Sequence, residues 1–233
     1  MTNTTMTDIQ QWAPDRIIAV VVEEFETFAA MVRGLSESDL AVRTGCDGWS
    51  VHHVVGHIIG SGADIVDNAI GSRTPDEQAD AYLRYSAATA ADALEAIAVR
   101  IGEHLRSLPD AVWEGGVEGV PEQVFPLGVL TLAHELTVHT DDIDTALGRD
   151  TISGQRWELC AQWLAVEFGR LEFEPLTLEL TGLPRYVVNG GGPVIATDPA
   201  TFVRAATGRV ESATVGVDFD LNIYGRDRRH IGV

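Results

Sequence analysis

Leu127-Gly128-Val129-Leu130-Thr131-Leu132-Ala133-His134-Glu135-Leu136-Thr137-Val138-His139-Thr140-Asp141-Asp142-Ile143-Asp144-Thr145-Ala146-Leu147 reads as one long helix, closed by Gly148 and Arg149. Within it Leu132, Glu135, Leu136, His139, Ile143 and Ala146 fall at i, i+3, i+4, i+7, i+11 and i+14, a single continuous stripe. The stripe has to be buried against other elements, and it carries Glu135 and His139 inward with the leucines. A buried carboxylate costs several kcal/mol unless a positive group compensates it.

Three further helices upstream supply the surfaces this one needs. Ile17, Ile18, Val21, Val22, Phe25, Phe28 and Val32 recur at helical spacing between Pro14 and Gly34. Ser50 can cap a second helix with Val51, Val54, Val55, Ile58, Ile59, Ile65 and Val66, running as far as Gly71. Pro75 opens an Ala-rich stretch, Asp76 to Leu108, expected as a third helix, either continuous or broken. The Gly- and Pro-containing segment Ala111–Pro126 is expected to be a loop. Four long helices with one apolar face each are most economically buried as a four-helix bundle, placed at residues 1–150.

Residues 151–233 read differently. A fifth helix is expected from Ser153 to Leu171, after which Leu176, Leu178 and Leu180 alternate with Thr177, Glu179 and Thr181. Tyr186–Val188 then meets Asn189-Gly190-Gly191-Gly192-Pro193, read as a hairpin turn between strands. Asp198 and Pro199 start a short helix, and Ser212–Val217 and Leu221–Tyr224 are expected as strands. The fold class is therefore mainly α, a bundle followed by a small α+β domain.

A formal net charge of −19 over 233 residues opposes binding to nucleic acid or anionic lipid, which both require Lys and Arg. No apolar run approaches the roughly 20 residues that cross a bilayer. The polar start lacks the pattern of an export signal, so a cytoplasmic location is expected. Two cysteines, Cys46 and Cys160, are too few for a disulfide framework or a thiolate zinc site. Cys46 reads more readily as a small buried group than as a reactive thiol.

On the second helix His57 shares a face with Val54, Ile58, Ser61 and Ile65, so it can meet Glu135 and His139 in a bundle core. Two imidazoles and one carboxylate suit a divalent metal, Zn²⁺ foremost, with a fourth position open. A hydrogen-bonded core histidine and a local Glu–His pair would produce the same pattern. Asp142, one turn beyond His139, is placed either to orient that imidazole or to sit in solvent. His134 and His139 are five residues apart, about 500° of helical rotation, which fails the His-Glu-x-x-His metalloprotease spacing. His52 and His53 carry no assignment.

Thr44-Gly45-Cys46-Asp47-Gly48-Trp49-Ser50-Val51, followed by Gly56-His57-Ile58, resembles the start of helix two in mycothiol-dependent maleylpyruvate isomerase-like proteins, which are DinB-like metal-binding bundles. Glu135-Leu136-Thr137-Val138-His139-Thr140-Asp141-Asp142-Ile143 is similar to the Glu-x-x-x-His segment of the same family, and the C-terminal module resembles its α+β cap. The resemblance implies a DinB-like fold with His57, Glu135 and His139 as zinc ligands. It also implies a C-terminal functional arginine in a Gly-Arg pair, either Arg209 or Arg226. Two departures stand out: Asp47 where proline is common, and His134 where arginine is often seen.

The implied activity is that of a metal- and mycothiol-dependent isomerase or S-transferase, using the low-molecular-weight thiol of actinobacteria on a small unsaturated or electrophilic substrate. Its partners would be that substrate and that thiol, in a monomer or homodimer. Alternatives are a metal-dependent hydrolase using a bound water, and a non-enzymatic, sterol-carrier-like binding protein.

Overall fold

The computed structural model describes residues 9, 11–117 and 120–225. Helix α1 spans Pro14–Arg33, with Asp15 in its first turn and Arg33 in its last, each sign matched to the helix dipole. After the one-turn α2 (Glu37–Leu40), helix α3 spans Val51–Val66. It stops short of Gly71 because Asn68 adopts a left-handed φ of 54°, which takes the chain out of the helix.

The expected third helix is two: α4 (Pro75–Asp80) and α5 (Ala87–Ser107). Thr74 and Glu77 form a capping box at the first, and Ser86 Oγ accepts from Thr89 N at 3.2 Å to start the second afresh. The short α6 (Asp110–Trp113) and strands β1 (Gly116–Val117) and β2 (Val120–Val124), paired antiparallel, occupy the segment expected to be a loop. Helix α7 then runs Phe125–Leu147 and α8 Gly154–Arg170.

The chain forms two compact units. One is Pro14–Asp110 with Glu135–Ile152; the other gathers Ala111–His134 and the described chain from Ser153. In the first, α1 packs along α5, and α3 packs on both α4 and α5. The core is built from the predicted stripes: Ile17, Val21, Phe25, Phe28 and Val32 of α1, Val54, Val55 and Ile58 of α3, and Leu94, Ile101 and Leu105 of α5 are all buried. Two glycines let α3 and α4 touch backbone to backbone. A Cβ on Gly56 would lie 2.4 Å from Ala79 O, and one on Gly60 would lie 2.5 Å from Gln78 Cβ. Buried Asp64 ties the same corner, accepting from Arg73 Nε at 2.9 Å and Gln78 Nε2 at 2.7 Å.

In the second unit β3 (Leu176–Leu180), β4 (Tyr186–Val188) and β5 (Val194–Thr197) form a sheet in the order β4-β3-β5. Strand β4 is antiparallel and β5 parallel to β3. The glycine-rich turn is therefore no hairpin: it carries the chain from one edge of β3 to the other. A Cβ on Gly192 would sit 2.0 Å from Pro175 O, so only glycine passes that close to the start of β3.

Helix α9 (Pro199–Ala206) is capped by Asp198 as expected and packs on α8. The last two expected strands are short 3₁₀ turns, Ser212–Val215 and Ile223–Gly225. Polar side chains there take the backbone N–H groups a ladder would need: Ser212 Oγ accepts from Leu221 N, and Asn222 Oδ1 from Tyr224 N.

Candidate metal centre

His57 comes from α3, and Glu135 and His139 come from α7; all three belong to the first compact unit. One donor atom from each lies within 4.8 Å of the others. His139 Nε2 is 3.5 Å from Glu135 Oε2, and the two imidazole centroids are 5.2 Å apart, edge to face. His57 and His139 are buried, and the Glu135 side chain is 13% exposed. The three residues that the stripes turn inward thus meet at one point.

His139 is held from behind. Its Nδ1–H donates to Asp142 Oδ2 at 2.8 Å, which turns Nε2 toward Glu135 as the nitrogen a metal ion would take in place of a proton. The same carboxylate oxygen accepts from Cys46 Sγ at 3.2 Å. Cys46, His139 and Asp142 form a second close group of potential ligands that shares its imidazole with the first.

A tight turn places both Cys46 and Trp49. Trp49 N donates to Cys46 O at 3.0 Å, with Gly48 at φ 79°, a left-handed conformation that favours glycine. Asp47 occupies the position after the first turn residue, where proline's fixed φ is favoured, so aspartate replaces proline without changing the geometry asked of it. The Trp49 ring lies 5.2 Å from that of His57 and 6.4 Å from that of His139, and Trp49 Nε1 donates to Asp76 at 2.8 Å.

The electrostatics of the cluster divide the two histidines. Burial pushes the His57 imidazole down to about 4, and the neighbouring His139 pushes the same way. Burial also works against a charge on His139, but hydrogen bonds to Asp142, Cys46 and Glu135 outweigh it and hold its pKa well above the ordinary 6.5. In the metal-free centre the His139 imidazole is thus held protonated on both nitrogens, Nδ1–H facing Asp142 and Nε2–H facing Glu135. His57 Nδ1 is buried with no hydrogen-bond partner among the described residues. Two imidazoles and a carboxylate oxygen fit a divalent ion of the zinc class, which would take over the charge role of the Nε2 proton.

Two other histidines have structural work. His53 Nδ1 accepts from Ser50 N at 3.2 Å, filling the place Glu or Gln usually takes in a capping box at the start of α3. His134, excluded from a metalloprotease motif by spacing, is 1% exposed, stacks on Trp163 with centroids 4.3 Å apart and meets Tyr224 Oη at 3.1 Å.

Arg209 follows α9 in the second unit, where its Nη1 donates to Thr207 O at 3.0 Å. Gly208 before it is required twice over, by a φ of 73° and by Asn222, whose Nδ2 would lie 2.5 Å from a Cβ. Arg226 lies outside the described residues.

The sequence pattern singled out the three converging residues and Asp142 but missed Cys46 and Trp49 as their neighbours. The short Cys46-Asp47-Gly48-Trp49 turn was the available signal, since a turn closed by i to i+3 pairing brings its end residues together.

Comparison with solved structures finds the mycothiol-dependent maleylpyruvate isomerase and a histidine-to-alanine mutant of it. They are 16% and 15% identical to this chain, each with a TM-score of 0.65, covering 91% of this chain and 98% of theirs. At that identity the likeness establishes the fold, a DinB-like bundle with a small α+β part. No curated protein sequence matches. A family model described as the mycothiol maleylpyruvate isomerase N-terminal domain matches residues 21–144. That span is more than half of the 233 residues and includes every residue of the cluster, and the chain belongs to this family.

Proposed function

We propose that His57, Glu135 and His139 hold one divalent metal ion, zinc by the chemistry of the donors, and that the chain is a mycothiol-dependent isomerase of small unsaturated acids. The observation that carries this reading is the convergence of three donor atoms within 4.8 Å, with His139 already turned by Asp142 to present Nε2. Family membership supports the thiol and the reaction class. A bound divalent ion there would favour the thiolate form of an incoming thiol at neutral pH, the nucleophile for reversible addition to a conjugated double bond.

The chain's own residues supply the rest. Glu135 and His139 fix the ligand geometry from one helix, one turn apart, while His57 closes it from α3. Asp142 sets the tautomer of His139, and the Trp49 ring walls the two imidazoles. An arginine of the C-terminal part, Arg209 or Arg226, is proposed to pair with the substrate carboxylate, which a guanidinium fork matches in bidentate fashion. S-transfer to an electrophile uses the same groups and differs in keeping the adduct. Hydrolysis is less well supported, because it needs a carboxylate base: Glu135 is among the ligand atoms and Asp142 is engaged by His139 and Cys46.

No helix among the described residues is long and apolar enough to cross a membrane. A cytoplasmic enzyme acting on small molecules, as monomer or homodimer, is the setting proposed. The test is turnover by zinc-loaded protein with a panel of unsaturated acids, comparing mycothiol with glutathione. Mycothiol-dependent isomerisation is the expected result; turnover independent of thiol, or none with any thiol, contradicts the reading.

A further inference from the structure

We infer that Cys46 is a positioning residue of the metal centre, acting on His139 through Asp142. The inference rests on the metal reading above and deepens it. Asp142 Oδ2 receives two hydrogen bonds, from His139 Nδ1 at 2.8 Å and from Cys46 Sγ at 3.2 Å. Asp142 is buried, 6% exposed, so these contacts are made where the dielectric is low and a carboxylate needs donors. The thiol, arriving from a segment 96 residues away in the chain, meets the very oxygen that orients His139 and shares its charge.

The thiol is itself held. Cys46 N donates to Thr44 Oγ1 at 3.3 Å, Cys46 O accepts from Trp49 N at 3.0 Å, and Thr44 N donates to Trp49 O at 3.0 Å. Val51 N donates to Val42 O at 2.9 Å, which anchors the whole turn to the first residue of α3. The segment that starts the His57 helix thereby braces the second histidine from the opposite side.

The close grouping of Cys46, His139 and Asp142 also fits a direct thiolate ligand, and the two roles differ in what they do to a bound ion. A ligand gives a sulfur-to-metal charge-transfer band. A positioning thiol gives none, and its loss shifts affinity and ligand field without removing the metal.

The experiment loads cobalt into the full chain and into Cys46→Ala and Cys46→Ser, and records the visible spectrum and the affinity by chelator competition. Loss of a direct outer-shell partner costs roughly 10–100-fold in affinity, and the more distant thiol should cost about fivefold. Cys46→Ala is expected to show that loss with a displaced d–d spectrum, and Cys46→Ser, which keeps a donor, to restore both. Identical affinity and spectra for all three proteins overturn the inference and leave the His57–Glu135–His139 centre standing. A thiolate charge-transfer band in the unmutated protein also overturns it, without recourse to any variant. Failure of the unmutated protein to take up cobalt overturns both this inference and the metal reading.

Discussion

His139 Nδ1 lies 2.8 Å from Asp142 Oδ2, three residues further along the same helix, and this contact decides which nitrogen of His139 faces Glu135 and His57. Asp142→Asn keeps the shape and removes the charge that strengthens His139 as a ligand. Metal affinity should fall by roughly tenfold or more in chelator competition. Unchanged affinity would show that the contact is incidental.

The metal-free protein should lose stability in acid through His57. Its folded pKa of about 4 is below the ordinary 6.5, so between those values the unfolded chain binds a proton that the folded chain refuses. Stability is therefore present above 6.5 and is lost as the pH falls toward 4, by up to about 3 kcal/mol. His139 has the opposite sign: its raised pKa stabilises the metal-free fold below 6.5, and that contribution disappears as the pH rises through the folded value. Urea midpoints of chelator-treated protein across this range, with His57→Gln expected to flatten the acid limb, provide the check.

Gly56→Ala should destabilise the fold by about 1–3 kcal/mol, because the new methyl meets Ala79 O, a backbone atom that cannot swing aside. Gly56 precedes His57, so the same change should weaken metal binding. A variant that denatures at the urea concentration of the parent would contradict the close α3–α4 approach.

Trp49 should report metal binding optically. Its ring is 5.2 Å from that of His57 and 6.4 Å from that of His139, so an open-shell ion such as Ni²⁺ bound between them should quench its fluorescence. In Trp49→Phe the quenching should be largely lost while metal stoichiometry stays the same. Quenching that survives the substitution would point to an ion bound elsewhere.

Much of this was legible in local pattern. The α7 stripe fixed both the burial of Glu135 and His139 and their place one turn apart, and Pro14, Ser50, Ser153 and Asp198 marked helix starts where the structure has them. The break between α4 and α5 came from a fresh cap at Ser86 inside a stretch whose alanines fit either outcome.

What escaped was non-local. Strands β4 and β5 could only be assigned to opposite edges of β3 by knowing that Gly192 crosses Pro175. The neighbours of Cys46 are equally remote, since nothing near it in sequence announces an aspartate 96 residues on. The strands expected at Ser212–Val217 and Leu221–Tyr224 lost to side chains that bond the backbone locally, a competition that hydrophobic alternation does not register.

The most direct test of the central claim is elemental analysis of the purified chain and of Glu135→Ala, each incubated with zinc and freed of excess ion. One zinc per chain in the parent and little or none in Glu135→Ala is the expected result. Stoichiometric zinc retained by Glu135→Ala, or a parent that holds none, would contradict a centre built from His57, Glu135 and His139.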